Sequence, residues 1–165
     1  MENVYHVGMA EAVAISSPAK LITLGLGSCI GLVIYDELAK VAAMAHIMLP
    51  ESRGGKEPEK PGKFADLAIP FLLGELFKKH AQKERLKAKF AGGAQMFANV
   101  KSTSSGADFL AVGVRNAAET LAHLNKLGVK IIASDTGGNK GRTIEFNTET
   151  WMLSVKVLGK GVTMI

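Results

Sequence analysis

The stretch LITLGLGSCIGLVIY (residues 21–35) decides how this chain is interpreted. Two runs rich in aliphatic and β-branched residues, 21–26 and 30–35, flank a short segment that contains glycine, serine and the only cysteine of the sequence. Such runs predict two strands, and the glycines between them allow a turn in which backbone amides approach a bound group closely. We therefore expect a turn that leads directly into Cys29 and the second strand.

Similar runs at residues 11–16 and 41–49 predict two more strands, so the first 49 residues indicate an N-terminal antiparallel sheet. Residues 51–63 follow with seven charged residues, three glycines and two prolines, a composition that predicts an exposed, mobile loop. Beyond this loop, apolar side chains recur at helical spacing and predict an amphipathic helix over residues 64–80, which should cover a sheet.

The second half of the chain predicts further strands and one more helix. We expect a strand at 86–91, a loop tip at 101–106, a helix at 116–127 ended by Gly128, a strand at 129–135, and a closing hairpin of residues 142–147 and 151–158. Strands and helices do not alternate regularly along the chain, which indicates an α+β fold rather than a doubly wound sheet. The length of 165 residues predicts a single domain, residues 1–165.

Composition excludes several classes of protein. Apolar residues make up 47% and charged residues 21% of the chain, which is typical of a folded globular protein and excludes global disorder. A single cysteine cannot form an internal disulfide and fits a reducing compartment. No lysine or arginine precedes Lys20, so a secretory signal is not expected and the sequence predicts a cytoplasmic protein. The most apolar stretch, 67–77, is too short for membrane insertion.

The net charge of +5 favours acidic partners in general. A nucleic-acid binder, inferred from charge alone, would show steeply salt-dependent DNA binding. Aromatic residues are only 6% of the chain and no basic, aromatic strand is present, so stacking on single-stranded nucleic acid has little support. We expect no nucleic-acid partner.

The predicted hairpin that follows Cys29 contains a histidine on its second strand. If Tyr35 pairs with Lys40 across the turn, Cys29 lies directly opposite His46 on the same face of the sheet. An imidazole beside a thiol lowers the thiol pKa and can transfer its proton, which is what a cysteine nucleophile requires. The alternative is that Cys29 is inert packing, because free cysteines are among the most buried residues. A register slip of one residue would turn the two side chains apart.

The turn before the cysteine supplies further candidate groups. Amides of the turn formed by Gly25, Gly27 and Ser28 could stabilise a developing oxyanion or shape the substrate pocket. Thr23, on what we expect to be the neighbouring strand, could orient the imidazole through its hydroxyl. The segment is not a dinucleotide loop, because Ile30 occupies the third glycine position of that motif.

Other motifs carry less information. The loop 137–142 contains three glycines and two cations; it could bind an anion or form the rim of a site. The remaining histidines, His6, His80 and His123, show no metal-ligand spacing with Cys29. We therefore expect no metal and no cofactor.

Four blocks of this sequence together resemble the chemoreceptor glutamine deamidases (CheD), in order and in approximate spacing. The blocks are TLGLGSC (23–29), AMAHIMLP (43–50), KFAGGAQMF (89–97) and DTGGN (135–139). The resemblance implies a compact sandwich of mixed, largely antiparallel β-sheets with outer helices, similar to deamidating bacterial toxins. It also implies a cysteine hydrolase in which Cys29 is the nucleophile, His46 the base and Thr23 the orienting hydroxyl.

The reaction that the resemblance implies is the conversion of receptor glutamine side chains to glutamate with release of ammonia. The expected partners are the cytoplasmic helices of chemoreceptors, as protein substrate, and a CheC-type chemotaxis phosphatase. The alternative is a non-catalytic regulatory partner of that phosphatase and of receptors. Such a protein would tolerate Cys29→Ala but lose partner binding when its surface is changed.

Overall fold

The computed structural model describes residues 3–96 and 111–165. Within these residues the chain forms ten strands: β1 (Asn3–His6), β2 (Ala12–Ser16), β3 (Ala19–Leu26), β4 (Ile30–Asp36), β5 (Val41–Ile47), β6 (Lys87–Gly92), β7 (Lys130–Thr136), β8 (Arg142–Asn147), β9 (Met152–Val157) and β10 (Gly161–Met164). The helices are α1 (Ala65–Lys78), α2 (Val112–Lys126) and a 3-10 turn at Lys83–Arg85. The predicted loop tip at 101–106 lies outside the described residues.

The strands form two five-stranded sheets. The first sheet has the order β1-β3-β8-β9-β10 and the second has the order β2-β5-β4-β6-β7. Only the pairs β1–β3 and β6–β7 are parallel among the described strands. The predicted α+β fold with mixed, largely antiparallel sheets is therefore confirmed.

Strands β4 and β5 of the second sheet are buried on both faces, which explains why they contain almost no polar residues. Alternate side chains of β4 point to opposite faces. Val33 and Tyr35 pack toward the first sheet, where Tyr35 lies 5.0 Å from Phe146 between ring centroids. Ile34 packs on the other face with Leu72 of α1. The helices thus cover the outer face of the second sheet, as expected for α1.

The prediction of a single N-terminal sheet is wrong in one respect. Strands β2, β4 and β5 are neighbours, but β3 lies in the first sheet, where it pairs with β1 and β8. The short turn at 27–29 carries the chain from one sheet to the other instead of closing a hairpin. Local sequence cannot distinguish these outcomes, because a tight glycine turn serves both.

The register of the β4–β5 hairpin also differs from the prediction. Asp36 pairs with Val41 and Gly31 with His46, so the pairing is displaced by two residues from the expected one. The reason lies in the turn, where the Asp36 carboxylate accepts hydrogen bonds from the amides of Leu38 and Ala39, both at 3.1 Å. This side-chain bonding places the four-residue loop at 37–40, one residue later than predicted.

The predicted loop at 51–63 has neither helix nor strand and is mostly exposed, but its end is fixed. The amide of Gly62 donates to the carbonyl of Ala10 at 2.7 Å, and a Cβ at this position would collide with the Glu11 carbonyl. The predicted second helix begins earlier than expected, at Val112, and Gly128 follows its end with a φ of +72°. No helix of the described residues is long and apolar enough to cross a membrane.

Candidate active site

Two polar side chains meet in the interface between the two sheets. Thr23 of β3 and His46 of β5 are 1% exposed each, and the Thr23 hydroxyl lies 2.7 Å from Nδ1 of His46. The same hydroxyl lies 2.6 Å from the carbonyl oxygen of Val7. The expected contact between Thr23 and the imidazole is therefore present, but it joins opposite sheets rather than neighbouring strands.

The hydrogen bonds of Thr23 determine which nitrogen of His46 carries a proton. The hydroxyl has one hydrogen, and the Val7 carbonyl can only accept, so Thr23 donates to Val7. The oxygen of Thr23 then accepts from Nδ1–H of His46. In the neutral ring Nε2 is consequently the unprotonated nitrogen. Nε2 is buried and has no partner among the described residues, so it is free to accept a proton.

Cys29 lies on the face of the second sheet that carries this histidine. His46 is paired with Gly31, and Cys29 precedes Gly31 by two residues, so alternation places all three on the side that faces the first sheet. Cys29 accordingly packs against the core between the sheets, and the residue is partly exposed whereas His46 is buried. The observed register differs from the predicted one by two residues, so Cys29 and His46 still share a sheet face. They are diagonal neighbours across the two strands rather than directly opposed.

Burial sets the ionisation state of both groups. Desolvation raises the pKa of the Cys29 thiol and lowers the pKa of the His46 imidazole. Both shifts favour the neutral thiol and the neutral imidazole over a thiolate and an imidazolium. The arrangement therefore fits a base that removes the thiol proton during attack, rather than a thiol that is already ionised.

The sequence interpretation missed Gly31, although a glycine inside an apolar strand is a signal of close backbone approach. A Cβ at Gly31 would collide with Cδ1 of Ile144 and would lie 3.0 Å from Cδ1 of Leu26 and 3.2 Å from Cγ2 of Thr23. All three neighbours belong to the first sheet. The missing side chain lets the sheets approach closely at the point where Thr23 reaches His46.

In the turn that precedes Cys29, one amide already donates a hydrogen bond. Gly27 N–H donates to the Gly25 carbonyl at 3.1 Å, so Gly27 shapes the turn and does not offer a free donor. Gly25 has a φ of +69° and lies in an irregular part of β3, between Thr23 and Leu26. The amides of Ser28 and Cys29 donate no hydrogen bond within the described part of the chain. These two amides are the available candidates for stabilising an oxyanion.

The glycine pair after β6 supports the same turn. Gly93 N–H donates to the Cys29 carbonyl and Ala94 N–H donates to the Gly27 carbonyl, each at 2.9 Å. Gly92 has a φ of +121°, and a Cβ there would collide with the Cys29 carbonyl. The glycine pair thus allows two backbone segments to lie in direct contact next to Cys29.

The loop at 137–142 lies behind this glycine pair. Gly137 N–H donates to the Gly92 carbonyl at 3.1 Å, and the Arg142 guanidinium donates to the Gly137 carbonyl at 2.9 Å and to Asp135 at 3.0 Å. Arg142 is 7% exposed and is used within the loop. Of the two alternatives for this loop, these contacts favour a supporting rim. Among residues 3–96 and 111–165, no group of three or more His, Cys, Asp and Glu side chains could hold a metal ion.

His46 has its Nδ1 held by Thr23 and its Nε2 without a partner among the described residues, and Cys29 lies on the same face of the sheet. A histidine oriented through Nδ1 in this way is what a cysteine hydrolase requires of its base. Comparison with known proteins gives the family. A family model described as CheD chemotactic sensory transduction matches residues 48–157. The chain belongs to this family.

Relatives extend the likeness across the residues before 48. The chain is 48% identical to the probable chemoreceptor glutamine deamidase CheD of Caldanaerobacter subterraneus subsp. tengcongensis, over 98% of each protein. It is 46% identical to the chemoreceptor glutamine deamidase CheD of Halalkalibacterium halodurans, again over 98% of each. The identity to the Thermotoga maritima protein of the same name is 46%, over 94% of this chain and 92% of the relative.

Proposed function

We propose that this protein hydrolyses the side-chain amide of glutamines in the cytoplasmic helices of chemoreceptors, giving glutamate and ammonia. The observation that carries the proposal is the held Nδ1 and free Nε2 of His46, on the sheet face that also carries Cys29. Family membership and the names of the curated relatives support the choice of substrate. The reaction needs neither metal nor cofactor, and we assign it to the cytoplasm and to the whole chain, 1–165, as one domain.

The reaction proceeds in two displacements. As the sulfur of Cys29 attacks the glutamine carboxamide carbon, the thiol proton moves to Nε2 of His46 and the carbonyl oxygen becomes an oxyanion. The candidate donors to this oxyanion are the amides of the attacking residue, Cys29, and of Ser28, which precedes it. Neither amide donates another hydrogen bond within the described residues. Collapse of the tetrahedral intermediate breaks the C–N bond, and His46 returns its proton to the departing ammonia. A thioester on Cys29 remains.

Water then hydrolyses the thioester. His46 takes a proton from the attacking water, the C–S bond breaks, and the proton returns to the sulfur of Cys29 as the glutamate product leaves. Thr23 holds the imidazole orientation throughout, because its oxygen accepts from Nδ1–H whether the ring is neutral or charged. The partial exposure of Cys29 supports access of a glutamine side chain from solvent, while His46 is buried.

Mass spectrometry of a receptor cytoplasmic fragment tests this function directly. We expect wild type to convert specific glutamines to glutamate with release of ammonia, and Cys29→Ala and His46→Ala to convert none. His123→Ala is the matched control, because this histidine lies on α2 beside Glu119, at 3.4 Å, and should leave conversion unchanged. Receptor binding without conversion by wild type would instead identify a regulatory binding protein.

We also infer that the loop 51–63 borders the cleft and helps to receive a receptor helix. The support for this inference is that the end of the loop lies close to His46. Gly62 N–H donates to the Ala10 carbonyl, and Ala10 N–H donates to the carbonyl of His46 at 3.1 Å. Shortening the loop within residues 54–59 leaves these hydrogen bonds in place. We expect a higher KM for the receptor fragment with an unchanged rate of Cys29 alkylation. An unchanged KM would exclude the loop from substrate binding.

A CheC-type chemotaxis phosphatase is the second partner that we propose, on the basis of the family resemblance. Titrating such a phosphatase into the deamidation assay tests this partner. We expect saturable binding and a change in the rate of receptor conversion. An unaltered rate together with no detectable complex would remove the phosphatase from the proposal.

A further inference from the structure

Asn116 is a fully buried polar residue that links the two parts of the candidate site. It belongs to α2, yet its side-chain amide donates to the carbonyl of Ser28 at 2.9 Å and to the carbonyl of Met48 at 3.0 Å. Ser28 directly precedes the nucleophile, and Met48 follows His46 by two residues. Because both partners are carbonyl oxygens, only the nitrogen of the carboxamide can face them.

The geometry of the peptide group gives this contact a consequence for the chemistry. In a trans peptide, the C=O and the N–H of the same planar unit point in opposite directions. The carbonyl of Ser28 and the amide of Cys29 belong to one such unit. A side chain that holds the Ser28 carbonyl toward α2 therefore directs the Cys29 amide away from α2.

The neighbouring peptide units are held in the same manner. Ala94 N–H holds the Gly27 carbonyl, which fixes the direction of the Ser28 amide, and Gly93 N–H holds the Cys29 carbonyl. Three successive carbonyls of the turn thus accept hydrogen bonds. The amides of Ser28 and Cys29 donate none within the part of the chain that the structure describes. Of the three holding groups, Asn116 alone is a side chain, so a substitution can remove it.

We propose that Asn116 is a positioning residue that directs the Cys29 amide toward the oxyanion of the tetrahedral intermediate, an inference that rests on the proposed deamidation. Asn116 does not touch the substrate. It acts through the Ser28–Cys29 peptide, and its second bond, to Met48, keeps that peptide in a fixed position relative to the strand that supplies the base.

The buried side of α2 is formed by Gly113, Asn116, Thr120 and Leu124, at helical spacing. The Oδ1 of Asn116 is buried without a partner among the described residues, so the benefit of the carboxamide lies in the two carbonyls to which it donates. An apolar residue at 116 would leave both carbonyls without this donor, which lowers stability as well as removing the positioning contact. The experiment must therefore separate positioning of the Cys29 amide from a loss of stability.

The test compares Asn116→Ala with Thr120→Val. Thr120 is buried one helical turn further along the same side of α2, and its hydroxyl has no hydrogen-bond partner among residues 3–96 and 111–165, so it is the matched control. For Asn116→Ala we expect kcat for the receptor fragment to fall about 10- to 100-fold, less than the roughly 10²–10³-fold loss on removal of an oxyanion donor. KM should stay within about twofold, because Asn116 does not contact substrate. For Thr120→Val we expect wild-type kcat.

Alkylation of Cys29 by iodoacetamide separates positioning from general damage. This displacement occurs at a methylene carbon and develops no oxyanion, so the pH profile of alkylation in Asn116→Ala should match wild type. Asn116→Ser, which retains a donor on a shorter side chain, should give an intermediate kcat. The proposal is overturned if Asn116→Ala keeps wild-type kcat, if its alkylation falls in parallel with kcat, or if both Asn116 variants fail to fold. If wild type itself converts no glutamine, the proposed function fails as well.

Discussion

Replacing Thr23 by valine tests whether the sandwich sets the protonation of its histidine. The two side chains have nearly the same shape, so the substitution removes the hydroxyl and little else. Both hydrogen bonds of the hydroxyl are lost, the one to the Val7 carbonyl at 2.6 Å and the one from Nδ1 of His46 at 2.7 Å. Nδ1–H of the imidazole then has no acceptor in a position that is 1% exposed.

The expected magnitude follows from the charge that His46 carries in the transition state. While the ring holds the thiol proton, the bond from Nδ1–H to Thr23 is a hydrogen bond to a charged group, worth roughly 1.5–3 kcal/mol. Since about 1.36 kcal/mol corresponds to a tenfold change in rate, kcat for the receptor fragment should fall about 10- to 150-fold. Unfolding should also become easier by about 1–3 kcal/mol, because the Val7 carbonyl loses its donor.

The assay combines kcat with nitrogen NMR of the imidazole ring. Wild type should show the proton on Nδ1 at neutral pH, and Thr23→Val should show a mixture of the two neutral forms. Thr23→Ser restores the hydroxyl and should recover most of the lost kcat. The reasoning is refuted if wild type carries its proton on Nε2, or if Thr23→Val retains full kcat with an unchanged ring spectrum.

Three further predictions concern the surroundings of the site. Gly31→Ala should lower the free energy of unfolding by about 1–3 kcal/mol, because the added Cβ collides with Ile144. Urea denaturation measures this change, and an unchanged urea midpoint would contradict the close approach of the sheets. Burial lowers the pKa of His46 below 6.5, and the base must be neutral to accept the thiol proton. We therefore expect kcat/KM to stay constant as pH falls through 6.5 and to decline only at lower pH. A decline centred above 6.5 would show that the pKa of His46 is not lowered. Asp36→Asn removes a fully buried carboxylate that lies 2.9 Å from Arg85, at the end of β4 remote from Cys29. It should destabilise the fold by about 1–3 kcal/mol in a thermal melt while kcat of the folded enzyme is unchanged, and a lower kcat would show that the two ends of β4 are coupled.

Strand positions were predictable because their signal is local. The runs at 21–26 and 30–35 match β3 and β4 to within two residues at each end. The strands that the sequence interpretation missed, β1 and β10, lie at the two edges of the first sheet, and all four residues of each are exposed. Such edge strands lack the alternation that burial of one face imposes, so only their pairing partners define them.

The shared sheet face of Cys29 and His46 was predictable even though the register of their strands was not. Side-chain direction in a strand has a period of two, so a register error of two residues changes the partners and preserves the faces. The carboxylate of Asp36 caused this error by fixing the turn one residue later than expected. An error of one residue would have placed Cys29 and His46 on opposite faces and removed the site.

The role of Asn116 could not be predicted, because it depends on contacts between segments far apart in the chain. Its carboxamide meets Ser28 and Met48, which are 88 and 68 residues away. A local signal existed: Asn116 and Thr120 are polar residues on the buried side of α2. A polar residue on a buried stripe indicates a partner in the core, but the helix alone cannot identify that partner.

The location of the site follows from the passage of the chain between the sheets. Packed sheets are about 10 Å apart, so short polar side chains of opposite sheets meet only where the backbones approach more closely than usual. Gly31 permits that approach, which brings a threonine of the first sheet to a histidine of the second. The tautomer of the base is therefore a property of the closed sandwich, whereas the thiol depends on the turn that joins the sheets. A change that loosens the packing around Ile144 should consequently reduce kcat at denaturant concentrations below those that unfold the protein, without slowing alkylation of the thiol.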